Sequence, residues 1–303
     1  MIKSQLEAVL RKPAVRLKIF VITLLFIPAL FEQTGNVMGF ASIFGGEGQA
    51  TVAIILLETF NYLYFYVDIL IVGYILLIPD IVREEYIDKQ SLMHCLSRKK
   101  AAGAALTRII AFSVLYMAWF VFLTALISGV WLRNFSLEWP HFVSVMIKSM
   151  LSEGQMMSLI MLPEGCLEYS VMVVLILVLL RSILGFIFLG MLASLVTLLT
   201  KKTKYGAGIM IFLLAVTLFI YYEYPGGYIP YYNPALPLAQ SRVLVDVIKT
   251  TIIPFFTFRS LNDDFTYWIR YGILSGLVLS IITGIGVWIY YQKGDLGNAD
   301  QDE

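Results

Sequence analysis

Long apolar segments separated by short polar ones dominate this sequence. A membrane-spanning helix needs about 20 mostly apolar residues, because it rises about 1.5 Å per residue through about 30 Å of hydrocarbon. Residues 109–132 and 271–291 meet this requirement without any charged residue, and residues 52–79 and 169–200 meet it with few charges inside. The pattern therefore predicts helices that cross a membrane at these four places.

Two shorter apolar segments extend the prediction to six spans. Residues 19–31 contain Pro28, and residues 207–222 end in tyrosines that suit the membrane interface. Basic and aromatic flanks would carry both segments to the headgroups. The predicted spans cover about residues 17–34, 55–79, 107–132, 169–200, 206–224 and 269–291. The predicted fold class is an all-α polytopic membrane protein, with one six-helix domain over residues 1–293.

Composition and charge support this class and give it an orientation. Hydrophobic residues make up 59% of the chain and charged residues 14%, with a mean hydropathy of +0.81, which excludes an ordinary soluble domain. Most lysine and arginine falls in segments 1–18, 80–108 and 201–206. The positive-inside rule predicts that these segments and both termini are cytoplasmic. The net charge of +1 gives no indication of a nucleic-acid partner.

The predicted external connections differ in character. Residues 32–50 lack lysine and arginine and are rich in glycine, which predicts a mobile loop. Residues 133–168 form a larger insertion, in which the methionine-rich stretch 141–162 has the spacing of a helix lying on the outer surface. Residues 224–267 begin with prolines and glycines, and stretch 243–258 is apolar enough for a re-entrant element.

On the cytoplasmic side, residues 80–107 predict an amphipathic helix at the membrane surface. Asp80 would cap its start, and the basic residues 98–100 would close it. The tail 294–303 is acidic and predicted to be disordered.

The chain offers few residues for catalysis. Its two histidines and two cysteines are His94, His141, Cys95 and Cys166, and in the predicted topology each pair is split between opposite faces. A zinc site or a disulfide cannot be built from them. Stretch 83–86 (REEY) shares adjacent glutamates with intramembrane CAAX-type proteases, but that family also places histidines within later spans. No phosphate-binding loop is present. We therefore expect a non-enzymatic chain with no catalytic residue, metal or bound cofactor of its own.

Three charged residues lie within predicted spans, namely Glu58, Asp68 and Arg181. Each costs about 2.5–3.5 kcal/mol at the centre of a membrane helix, so each needs an explanation. An interhelical ion pair of Arg181 with Asp68 or with Glu58 is one interpretation, and a polar substrate pathway is the other.

The last span has a small residue at every fourth position: Gly272, Gly276, Ser280 and Gly284. Such a face allows close contact between helices. It predicts either a packing seam inside the bundle or part of a subunit interface.

Residues 81–100 begin with IVREE, end with SRKK and are followed by the long span from residue 109. This arrangement resembles the permease subunits of type-two ABC exporters. The resemblance covers the whole predicted topology. It implies an N-terminal amphipathic elbow helix at residues 1–14, six spans, and a cytoplasmic coupling helix between the second and third spans that docks on a separate ATPase. The insertion 133–168 is larger than the family pattern implies.

The resemblance also implies roles and partners. Arg83, Glu84 and Glu85 would be ATPase-coupling residues, and the partners would be ABC ATPase subunits, a second permease copy or paralogue, and the lipid bilayer. ATP and magnesium would bind the partner ATPase. The implied function is export of, or immunity to, an amphipathic peptide or other hydrophobic substrate at a bacterial plasma membrane. A secondary transporter or a sensory membrane partner without an ATPase is the alternative.

Overall fold

The computed structural model describes residues 10–44, 50–61, 66–87, 97–145, 164–223 and 265–293, and within these ranges the chain is helical and contains no strand. The all-α class predicted from the sequence is confirmed for this part of the chain. The long helices are α1 (Pro13–Phe44), α2 (Val52–Asn61), α3 (Val72–Ile87), α4 (Arg98–Leu132), α5 (Val171–Thr200), α6 (Thr203–Glu223) and α7 (Phe265–Lys293). A π-helical turn, Tyr66–Ile71, leads directly into α3, and a 3₁₀ turn, Glu164–Glu168, precedes α5.

Among the described residues, four helices are long and apolar enough to cross a membrane: α1, α4, α5 and α7. Residues 69–82 and 203–216 form shorter apolar helical stretches. These lengths and compositions are those of a membrane protein. Six complete spans remain a prediction.

Helix α5 lies at the centre of the bundle. It contacts α2, α3, α4, α6 and α7. Its own side chains are apolar on every face, which is the pattern of a helix that is buried in a core or in a membrane. Ser170 caps its start by accepting a hydrogen bond from the Val173 amide, and Lys201 ends it in the left-handed conformation with φ of 59°.

Hydrogen bonds and packing define the two ends of the bundle. At the Asn134 end, the Asn134 side chain donates to Ala50 O at 3.1 Å and its carbonyl accepts from the Val52 amide at 3.0 Å. These bonds bring the start of α2 to the end of α4. At the Arg98 end, Ala102 of α4 packs with Leu198 of α5 and Tyr291 of α7. Helices α4 and α5 are therefore antiparallel, and α7 ends beside the start of α4.

Helix α1 is longer than the sequence predicted. The expected loop from residue 32 is wrong for residues 32–44, because the helix continues to Phe44. Gln33, Val37 and Ala41 are buried on one face against the bundle. Tertiary packing of that face outweighs the weak helix propensity of the nearby glycines.

The boundary between the second and third apolar segments also differs from the prediction. Asp80 does not cap a helix: it lies inside α3, which continues through Pro79 because Ile78 and Ile81 extend its buried face. Residues 98–100 do not end a helix either. They begin α4, where Ser97 has an extended backbone and accepts a hydrogen bond from the Lys100 amide at 3.3 Å.

Other predicted connections lie outside the described residues. They are most of the elbow helix (1–9), the coupling segment beyond residue 87 (88–96), most of the surface helix (146–163), the proline-rich and re-entrant region (224–264) and the acidic tail (294–303). Residues 141–145, at the start of the predicted surface helix, are helical.

Candidate functional site

The predicted coupling residues Arg83, Glu84 and Glu85 lie in the last turns of α3. Their side chains are outside the described part of the structure. The residues just before them, Ile81 and Val82, are buried, with 0% and 2% of their surface exposed. The predicted coupling residues therefore directly continue a helix that packs inside the bundle.

An ion pair joins α3 to α1 about one turn before the predicted coupling residues. Lys18 Nζ lies 2.6 Å from Asp80 Oδ2 and also donates to Leu76 O at 3.0 Å. Both side chains are only partly exposed, at 38% and 27%. The carbonyl gives the ammonium group a second acceptor, so the contact fixes the side chain of Lys18 against one turn of α3.

Glu58 is buried in α2, with 1% of its surface exposed. Its Oε2 accepts a hydrogen bond from Gln33 Nε2 of α1 at 3.1 Å, and its Oε1 has no hydrogen-bond partner among the described residues. Gln33 is thus the hydrogen-bond partner that the described part of the chain gives Glu58, and the ion pair of Glu58 with Arg181 stays a prediction. An acidic group at this position joins the first two apolar segments through a polar contact in an apolar interior.

Arg181 of α5 is also buried, at 1% exposure, and is one of the largest fully buried side chains described. Asp68, the other predicted partner, lies in the π-helical turn, but its side chain is outside the described part of the structure. The Asp68–Arg181 pair stays a prediction. Burial of a guanidinium in the central helix indicates a polar position at the core of the bundle.

Aromatic rings fill the space where α1, α3, α4 and α5 meet. The Tyr74 ring lies 4.7 Å from Phe186 and 5.4 Å from Tyr116, and Phe26 lies 4.6 Å from Phe120. These separations are those of favourable tilted and edge-to-face pairs. The cluster joins four helices into one packed unit.

Two tyrosine hydroxyls in this cluster make interhelical hydrogen bonds. Tyr116 of α4 donates to Leu70 O in the π-helical turn at 2.7 Å, and the Tyr74 hydroxyl lies 2.8 Å from Ser113 Oγ. A π-helical turn disturbs the regular pattern of backbone hydrogen bonds, and such turns often lie at functional positions. Tyr116 thus holds the irregular turn against α4.

Two glycines allow the hydroxyl groups of Tyr116 and Tyr74 to lie close to the backbone of neighbouring helices. A Cβ atom at Gly73 would lie 2.7 Å from Tyr116 Oη, and one at Gly190 would lie 2.5 Å from Tyr74 Oη and 2.6 Å from Ile109 Cγ2. All three distances are shorter than van der Waals contact. The two hydroxyls can take their positions only because the facing residue has no side chain.

The small-residue face of α7 is turned toward α5. Gly272, Gly276, Ser280 and Gly284 are buried, and Ser280 Oγ donates to Leu184 O of α5 at 3.3 Å. A Cβ atom at Gly284 would lie 3.2 Å from Met191 Sδ. Of the two predicted roles, the described contacts correspond to a packing seam inside the bundle.

Metal-binding residues are sparse in the described ranges. No group of three or more histidine, cysteine, aspartate or glutamate side chains there could hold a metal ion. Cys166 is buried beside the start of α5, and His141 is exposed; His94 and Cys95 lie outside the described residues.

The sequence did not predict the interhelical contacts of five residues, namely Lys18, Gln33, Tyr74, Asp80 and Tyr116. Gln33 lies where the predicted first span (about 17–34) and the predicted loop (32–50) overlap, so no partner for its side chain could be inferred. The tyrosines carried a signal, because a hydroxyl within an apolar span needs a hydrogen-bond partner. Which residue provides that partner depends on how the helices pack.

A scan against protein-family models, a search of curated proteins and a search of solved structures each gave no match to this chain.

Proposed function

We propose that this chain is the membrane-spanning permease subunit of an ATP-driven ABC transporter. It would export, or confer immunity to, an amphipathic peptide or other hydrophobic substrate, and a separate ATPase would supply the energy. The observation that carries the proposal is the continuity of α3. This helix runs unbroken from the buried Tyr74 to the acidic pair Glu84 and Glu85.

That continuity suits a coupling element. A partner that moves the end of α3 acts on a helix whose buried face reaches the aromatic core, so a displacement at the surface is transmitted into the bundle. The contacts that would respond are the Lys18–Asp80 ion pair to α1 and, across the π-helical turn, the Tyr116–Leu70 bond to α4. ATP and magnesium would bind the partner ATPase, and its closure would shift the permease between inward-open and outward-open states.

The charge distribution supports the orientation that this role needs. Lys99 and Lys100 begin α4, Lys201 and Lys202 follow α5, and Lys293 ends α7. These basic residues are at the Arg98 end of the bundle. The positive-inside rule then favours a cytoplasmic Arg98 end, with both termini on that side. The proposal further includes six spans in a bacterial plasma membrane and a second permease copy or paralogue beside this one.

The test is co-purification of an ATPase with the full chain from its native host. Wild-type chain extracted in mild detergent should retain a Walker-motif ATPase in comparable amount. Reversing the acidic pair in a Glu84→Lys/Glu85→Lys variant should lower the recovered ATPase at least about tenfold, because like charges replace complementary ones at the contact.

The matched control is Glu138→Lys/Glu168→Lys, which changes the charge equally at exposed positions near the Asn134 end. This variant should retain the ATPase. Absence of any ATPase from repeated wild-type extractions, or equal loss in both variants, would contradict the proposal and favour a secondary transporter or a sensory role.

A further inference from the structure

A groove lies on the surface of α4 near the Asn134 end. It has a volume of about 540 Å³. Its lining consists of apolar side chains and one glycine, with a single charged residue at the end of the helix: Phe122, Ala125, Leu126, Gly129, Val130, Arg133 and Phe135. The groove is thus apolar along its length and positive at one end.

Local backbone geometry builds both features. Arg133 follows the last residue of α4 in the left-handed conformation, with φ of 53°, and its amide donates to Gly129 O at 3.1 Å. The chain then reverses so that Phe135 packs over Gly129, where a Cβ atom would lie 2.9 Å from the Phe135 ring. The missing side chain at Gly129 lets the ring form one wall of the groove.

The groove lies at the end of the apolar segment of α4, where a bilayer would change from hydrocarbon to headgroups. Leu126 and Val130 are 50% and 70% exposed in the described part of the chain, as expected for side chains that face lipid. Arg133 is the first charged residue after the uncharged segment 109–132, and the neighbouring Trp131 is also exposed. Tryptophan and arginine at the end of a spanning segment are typical of the interface.

We propose that this groove binds one phospholipid molecule, with its phosphodiester group on Arg133 and an acyl chain along Leu126 and Val130. A guanidinium group matches a phosphate in charge and can donate two parallel hydrogen bonds to it. The apolar lining matches an acyl chain, and the bilayer presents both groups at the depth where the groove lies.

A second copy of the chain is a poorer occupant. A two-fold axis through the groove would bring the second Arg133 to the same region, and two guanidinium groups would repel each other. A phospholipid brings the opposite charge instead.

The experiment measures the lipid retained by the purified full-length chain. The chain in mild detergent is incubated with phosphatidylglycerol or with diacylglycerol of the same acyl composition, and the lipid bound per chain is counted by native mass spectrometry. The wild-type chain should retain phosphatidylglycerol about tenfold better than diacylglycerol, as expected for a charge-assisted contact. An Arg133→Asn variant keeps a residue that tolerates the left-handed conformation and should lose this preference.

Two further variants make the result specific. Val130→Trp fills the groove at an exposed position and should lower retention of both lipids, with the charge of Arg133 unchanged. Lys201→Asn removes a basic residue from the other left-handed helix end in the described chain, at the Arg98 end, and should keep the wild-type preference. Equal retention of the two lipids by the wild-type chain, or an unchanged preference in Arg133→Asn, would overturn the proposal. An equal loss in Lys201→Asn would assign the effect to net charge, which also overturns it.

Discussion

At the scale of single residues, buried polar side chains in the described part of the bundle form hydrogen bonds in two ways. Hydroxyl side chains such as Thr34, Thr59 and Thr124 donate to the carbonyl four residues earlier in their own helix. Such residues fit an apolar helix without any partner helix. Glu58 cannot use this solution because a carboxyl group needs donors, and the donor it finds is Gln33 on another helix.

This contrast predicts that Gln33→Leu destabilises the bundle. Within the described ranges Gln33 provides the hydrogen bond that Glu58 accepts, so its loss leaves a buried carboxyl group unsatisfied. The free energy of unfolding should fall by about 1–2 kcal/mol, as for interhelical hydrogen bonds and buried unsatisfied groups. Unfolding of the purified chain by increasing SDS in detergent micelles measures this change.

The control is Asn36→Leu, because Asn36 is an exposed polar residue one turn later on the same helix. It should change the free energy of unfolding by less than about 0.5 kcal/mol. The Gln33→Leu/Glu58→Leu double variant should recover stability, since both polar partners are then removed. Equal stability of Gln33→Leu and Asn36→Leu would show that the Gln33–Glu58 bond contributes nothing.

At the scale of elements, the apolar centres of the helices could be predicted from sequence, but several of their ends could not. Residues 107–132 were predicted as a span, yet α4 begins at Arg98. Serine is a common N-cap residue, so Ser97 indicates a helix start, whereas the basic residues that follow it are typical of a helix end. The sequence alone does not decide between these two predictions. The end of α1 was missed for a different reason, because the face that holds Val37 in the bundle exists only after packing.

Packing between elements predicts opposite effects for two glycine-to-alanine changes. Gly190→Ala would force a Cβ atom against Tyr74 and Ile109. We expect the free energy of unfolding to fall by about 1–2 kcal/mol, because the cost of overpacking exceeds the gain in helix propensity. Gly208 of α6 has no described atom within 4 Å of such a Cβ. Gly208→Ala should therefore stabilise the chain by about 0.5–1 kcal/mol. SDS unfolding measures both variants.

A third variant tests whether Gly190→Ala acts through the contact with Tyr74 or through a general change in the stability of α5. Adding Tyr74→Phe to Gly190→Ala removes the oxygen that the new methyl group would meet at 2.5 Å. The double variant should be more stable than the sum of the two single changes predicts. Strict additivity would mean that Tyr74 and Gly190 are not in contact.

At the scale of the whole molecule, part of the candidate site was accessible from sequence and part was not. Charges in apolar spans marked Glu58 and Arg181, because an ionisable residue there is costly wherever the helices lie. The partner of Glu58 was not predictable, since it depends on which helix packs beside α2. The small-residue face of α7 was visible as a spacing, while its neighbour α5 is known only from the fold.

The arrangement of the ends predicts which positions share a side of the membrane. Packing places the start of α4 and the ends of α5 and α7 together, and Asn134 at the opposite end. Single cysteines are introduced at Lys99, Lys202 and Ser136 in a chain whose Cys95 and Cys166 are replaced by serine and alanine. A membrane-impermeant maleimide added to intact cells should label the Ser136 position, and should label the other two only after the membrane is permeabilised.

The outcome separates the membrane arrangement from its orientation. Lys99 begins α4, Lys202 follows α5, and Ser136 lies in the connection between these helices. Labelling of Lys99 and Lys202 from one side and of Ser136 from the other therefore requires both helices to cross the bilayer. Labelling of these two positions in intact cells, with Ser136 protected, would keep the bundle but reverse the orientation that the basic residues favour. Labelling of Lys99 and Lys202 from different sides would mean that α4 and α5 do not form an antiparallel membrane pair.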